Sequence, residues 1–195
     1  MHNGTGGLGR PGESFCAPRR RVFAASLAAI LLYALAHPLS ARADLPPACG
    51  PAPAFGCLGP RKAHVGSLVL HADPPSLTWQ WKRGDAVSAR DVGNPTGSDG
   101  YRLCLYDESH DTPQLVLDKP IGGGSGWKAT SAGYRYSSSG TPVDGVRRIV
   151  IVTAGAGKSR ITVNGKGAGL GLPALPLAQD QAVVAQMSSS TGACF

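Results

Sequence analysis

Beyond residue 66, apolar and polar side chains repeatedly alternate with a period of two. In "SLTWQWK" (76–82) Leu77, Trp79 and Trp81 alternate with Thr78, Gln80 and Lys82, which places one set on each face of a strand. "YRLCLYD" (101–107) repeats the pattern, with Tyr101, Leu103 and Leu105 facing one way. "SLVLH" (67–71), "QLVLDK" (114–119), "GWKAT" (126–130), "GYRYS" (133–137), "RRIVIVT" (147–153), "SRITVNG" (159–165) and "AVVAQM" (182–187) are further strand candidates. In "IVIV" both faces are apolar, so that strand belongs in the middle of a sheet, covered on both sides. Turn signals separate the segments: Asp73-Pro74-Pro75, Asn94-Pro95, Gly97-Ser98-Asp99-Gly100, the glycine-rich 122–126 and Asp144-Gly145. No segment after residue 43 carries a helical period. About eight short strands between Gly and Pro turns predict an all-β fold, an antiparallel β-sandwich or a partly open barrel. "LGLPALPLAQD" (170–180) is too rich in proline for a helix. It reads as an irregular crossing whose leucines cover one end of the core.

The N-terminus has a different pattern. Arg19, Arg20 and Arg21 precede an almost unbroken apolar run over 22–36, then Pro38 and the small-residue triplet Ala41-Arg42-Ala43. A basic cluster, a short apolar run and an A-x-A site in that order describe a secretory signal peptide cleaved after Ala43. The run is shorter than the roughly 20 residues a spanning helix needs, so no membrane span is expected after cleavage. Asp44 rather than Cys comes after the cut, which argues against a lipid anchor. Arg20-Arg21-Val22-Phe23 also fits the core of a twin-arginine signal, so the export route stays open. The expected organisation is a signal peptide with a long leader over 1–43, a Pro-rich lead over 44–63 and one all-β domain over 64–195.

Export changes the charge. The formal net charge is +7 for the full chain. Cleavage removes five arginines and Glu13, leaving 195 − 43 = 152 residues with 14 basic and 11 acidic side chains, or +3. The basic residues are dispersed along the sequence, which reads as ordinary solvated charge and predicts no nucleic-acid partner. Cys16 leaves with the leader. Cys49, Cys57, Cys104 and Cys194 remain, an even number suited to disulfides in an oxidising compartment. Three pairings are possible. One joins Cys49 to Cys57 around the small loop "CGPAPAFGC" and leaves Cys104 for Cys194.

Candidate chemistry is sparse. "RIVIVTAGAGKSRITV" (148–163) resembles a phosphate-binding loop, with Gly157, Lys158 and Ser159 after a β-branched run. That motif needs Gly five positions before Gly157, where Val152 stands, and a helix starting at the Lys. Residues 159–163, Ser-Arg-Ile-Thr-Val, instead carry a β pattern, so the segment reads as a hairpin with Gly155 and Gly157 in positive-φ positions. No nucleotide or other cofactor is expected. "DESHD" (107–111) crowds Asp107, Glu108, Ser109, His110 and Asp111 into one turn, whereas triad chemistry needs groups converging from separate elements. Asp91, Asn94 and Asp99 suit turn chemistry, and His64 and His71 lack a third ligand, so neither a metal nor a catalytic set is assigned. Trp79 and Trp81 share a face with Leu77 and read as core. Tyr134 and Tyr136, alternating around Arg135, are the candidate ligand-facing aromatics.

"LCLYD", the stretch "GYRYSSSGTPVDGVRRIVIVTAGAGKSRITVNGKG", "LPALPLAQDQAVVAQ" and the terminal Cys-aromatic pair together resemble a recurrent domain. It belongs to a family of uncharacterised secreted proteins of environmental, myxobacteria-like proteobacteria. The resemblance covers roughly 66–195 and implies secretion and an all-β domain, without an activity. The turn at 124–127 lacks cysteines that the family carries there, so the resemblance does not fix the pairing. The chain as a whole reads as a bacterial, non-catalytic envelope or extracellular binding or structural module, periplasmic or extracellular, whose ligand is a glycan or a protein. The alternative is a small secreted hydrolase, resting on "DESHD" and the scattered histidines.

Overall fold

Each alternating segment becomes a strand because its apolar half has a sheet face to bury. The computed structural model describes residues 44–109, 112–138, 140, 144–178 and 182–195. The segment expected to be a signal peptide, its expected cleavage site, His110 and Asp111 lie outside the described residues. The strands are β1 (Ser67–His71), β2 (Ser76–Gly84), β3 (Tyr101–Ser109), β4 (Thr112–Ile121), β5 (Trp127–Thr130), β6 (Gly133–Ser137), β7 (Val146–Val152), β8 (Ser159–Lys166) and β9 (Val183–Ser189). They form two antiparallel sheets, one of six strands in the order β1-β2-β8-β7-β6-β5 and one of three in the order β4-β3-β9. The sheets do not close into a barrel, so the sandwich is the architecture. Two short helical pieces went unseen in the sequence: α1 (Ala89–Val92) and a 3-10 turn (Ala168–Leu170). Neither is long enough to show a period. α1 starts at a capping box in which Ser88 and Asp91 satisfy each other's backbone N–H groups.

The core lies between the sheets and is built in registered rows. Leu68, Trp79, Val163, Ile149, Tyr136 and Trp127 stand opposite one another in turn across all six strands of the larger sheet. Trp81, Ile161, Ile151 and Tyr134 make the next row. The smaller sheet answers with Tyr101, Leu103, Leu105, Leu117, Ile121 and Met187, all buried. Leu170 closes one end. Its side chain fills the space a Cβ on Gly165 would need, 2.3 Å away, as expected for the crossing over 170–180. β7 is central as predicted, between β8 and β6. Its outer residues Val150 and Val152 are only half-buried, so the second face is not fully covered among the described residues.

The lead supplies a third layer over the smaller sheet. Cys104, Arg102 and Tyr106 point away from the core of the smaller sheet, and the lead crosses them. Cys49 forms a disulfide with Cys104. Tyr106 Oη donates to the Gly50 carbonyl at 3.2 Å, and Gln186 exchanges two hydrogen bonds with the Ala54 backbone at 2.8 and 2.9 Å. Cys57 then forms a disulfide with Cys194, where residues 193–195 pair with the edge of β9. The pairing of Cys49 with Cys57 is therefore not the one adopted. The lead runs extended over the sheet, and each cysteine meets the partner beneath it rather than its sequence neighbour. Asp44 begins this layer, with its N–H donating to Ser98 O at 2.7 Å and its carbonyl accepting from Gly100 N at 2.8 Å.

Candidate functional site

The polar groups singled out in the sequence hold backbone in place. Of "DESHD", Asp107, Glu108 and Ser109 end β3, where Glu108 pairs with Pro113 of β4. Asp107 is buried, and its carboxylate accepts a 2.7 Å hydrogen bond from Ala178 N, tying the crossing segment to β3. Asp99 accepts from Asn94 N at 2.7 Å and from Ser190 Oγ at 2.9 Å. The Ser88 hydroxyl, then its N–H, hold the Asp91 carboxyl below the ordinary value of 3.8 by bonding to the charged form. His64 and His71 are exposed. Among the described residues no three His, Cys, Asp or Glu side chains are grouped to hold a metal ion.

The phosphate-loop resemblance resolves into a hairpin. β7 and β8 pair antiparallel through a loop over 153–158. Gly157 has φ +81°, and its N–H donates to Gly84 O at 2.7 Å. Lys158 is exposed. Gly155 differs from the expectation, because its φ lies outside the left-handed region and open space surrounds it. One glycine, not two, makes this turn.

Tyr134 and Tyr136 lie on the core-facing side of β6, half-buried against the core cluster. The Tyr136 ring stands 5.4 Å from Trp127. Burial, then the Asp144 carboxylate, raises its phenol pKa, so its hydroxyl stays a proton donor through the neutral range. β6 is the second strand from the sheet edge. A groove of about 350 Å³ opens at the opposite side of the sandwich, between β1–β2 and β9. Leu68, Trp79, Trp81, Val184 and Phe195 contribute its apolar lining. Among the described residues no charged side chain lines it.

Sequence reasoning missed the electrostatic division between the sheets. The six strands of the larger sheet carry 8 of the 14 basic residues of 44–195 and none of the 11 acidic ones. The two ion pairs among the described residues, Arg61–Asp85 and Arg102–Asp118, involve none of these strand cations. The charges look dispersed along the chain and converge only through strand pairing. Period-two alternation already put Lys82, Lys128, Arg135 and Arg160 on polar faces. The missing information was that those faces are one surface.

The chain matches no family model, no curated protein and no solved structure.

Proposed function

We propose that this chain is an exported, non-catalytic module that binds or builds in the cell envelope or outside the cell. The pair of disulfides carries the reading. They close loops spanning 55 and 137 residues, fastening the lead and the C-terminal tail onto the sandwich, and such crosslinks persist in oxidising compartments. The basic, apolar and A-x-A leader supports the same location. What this scaffold offers is rigid surface. Asp91, Asp99 and Asp107 are engaged with backbone groups, while the outer face of the larger sheet presents exposed side chains among the described residues. The ligand is an envelope or extracellular glycan or protein.

The test is a glycan array and a partner screen with the exported, oxidised protein. A module retains its ligand reversibly and returns it chemically unchanged. Time-dependent conversion of a retained ligand would make the protein an enzyme and end this reading.

A further inference from the structure

The outer face of the six-stranded sheet carries six exposed cations: Lys82, Lys128, Arg135, Arg148, Arg160 and Lys166. Each adjoins an inward residue in the chain, so alternation turns it outward. Four of them form a line. Lys166 on β8 is diagonal to Arg148 on β7, since Arg148 pairs with Asn164. Arg148 is diagonal to Arg135 on β6, since Arg148 pairs with Ser137. Arg135 stands directly opposite Lys128 on β5. Diagonal neighbours in a sheet lie roughly 7–8 Å apart, so this is a ladder of positive charge from the middle of the sheet to its edge.

Two contacts in this face work against stability. Lys128 is opposite Arg135 and Lys82 is opposite Arg160, and like charges directly across a sheet repel. No acidic side chain in the sheet relieves them. An anion laid on the face would. Between the cations stand Thr78, Gln80, Ser137, Thr162 and Asn164, which offer hydroxyl and amide groups. The one aromatic ring among the exposed side chains of the strands on this face is the His71 imidazole on β1, at the edge opposite Lys128, so no ring on which a base could stack lies along the Lys166–Lys128 diagonal.

We propose that this face binds an acidic polysaccharide, whose carboxylates or sulfates lie along the Lys166–Arg148–Arg135–Lys128 diagonal. The assignment rests on the reading of the chain as an exported binding module and names its ligand class. Hydroxyl and amide groups between the cations match the uncharged hydroxyls of such a chain. The outer face of the smaller sheet cannot compete, because the lead covers it.

The experiment measures binding of the oxidised protein to polygalacturonate, with neutral dextran, duplex DNA and phosphatidylglycerol vesicles as comparisons. Polygalacturonate should bind, weaken as salt screens the charges, and exceed the other three. R135Q/R148Q should weaken it by about tenfold or more, as expected for two lost charge-assisted contacts. R90Q/K119Q removes the same charge away from this face and should change binding by less than about twofold. R135Q also relieves a like-charge pair, so its melting temperature should hold or rise while binding falls. Should R135Q/R148Q not fold, R148Q/K166Q makes the same comparison. Equal losses in both pairs, or no binding to polygalacturonate, would overturn the proposal. Tighter binding of DNA or vesicles through Arg135 and Arg148 would also overturn it, reassigning the face. Capture of a different glycan or a protein elsewhere would leave the module reading intact, whereas shortening of the polygalacturonate chains would overturn that reading instead.

Discussion

Gly84→Ala should be among the most damaging single methyl additions in this chain. Gly84 ends β2 at a register shift after Lys82, and the Trp81 ring lies over it. A Cβ there would sit 1.8 Å from Trp81 Cη2 and 2.2 Å from Cζ2, against about 3.5 Å for ordinary carbon contact. The ring must move by more than an ångström, and it is fixed on two sides. Its Nε1 donates to Leu58 O at 3.1 Å, and Phe195 packs edge-on with ring centroids 5.8 Å apart. Loss of that hydrogen bond costs about 1 kcal/mol, and overpacking a buried site a further 1–3 kcal/mol or so. Gly84 does not have a left-handed φ, so alanine adds no backbone strain and recovers roughly 0.4–1 kcal/mol from the unfolded state. The net loss is about 1–3.5 kcal/mol, or roughly 2–14 °C of melting temperature for a domain of this size. Thermal and urea unfolding with both disulfides intact would measure it. Trp81→Phe in the Gly84→Ala background should cost less than the sum of the two changes, since a smaller ring leaves room for the methyl. An unchanged midpoint in Gly84→Ala, or strict additivity in the double variant, would refute this packing.

The same geometry fixes three further outcomes. Gly157→Val should cost about 1–3 kcal/mol because φ is +81° there, while Gly155→Val should stay within about 0.5 kcal/mol; urea titration of both variants separates them. Tyr101 is buried with its hydroxyl on the Val92 carbonyl at 2.9 Å, and burial raises its pKa well above the ordinary 10.0. Its stabilisation is therefore complete below pH 10 and lost as pH rises beyond it. In melting curves against pH, Tyr101→Phe should flatten the alkaline fall at a cost of about 1 kcal/mol near neutrality. Replacing Cys57 and Cys194 together by Ser should destabilise by roughly 5 kcal/mol in the chain-entropy limit for a 137-residue loop, and Cys49 with Cys104 by roughly 4 for 55 residues, both read by denaturation of the purified variants.

The strands were legible because burial of one face leaves a period of two that no turn disturbs, as in Leu77-Trp79-Trp81. Trp79 and Trp81 as core came from that rule, and so did the hairpin over 148–163, where Val152 in place of glycine ruled out a phosphate loop. The disulfide pairing was not legible. It depends on the lead lying over Cys104, and the lead has no period to locate it, although the inward Leu103 and Leu105 already implied that Cys104 faces outward. Gly155 and Gly157 look alike in sequence, and only the path of the loop assigns the left-handed turn to Gly157. The cationic face stayed hidden for the same reason. Arg135 and Arg148 are thirteen residues apart in the chain and become diagonal neighbours only through the β6–β7 register.

The central claim, an exported module locked by oxidation, is tested most directly by the covalent state of the protein recovered from cells. Intact-mass and non-reducing peptide analysis of the periplasm and medium should find a chain beginning at Asp44, without free thiols, linked Cys49–Cys104 and Cys57–Cys194. A full-length cytosolic chain with four reduced cysteines in that region, or an exported chain linked Cys49–Cys57, would contradict it.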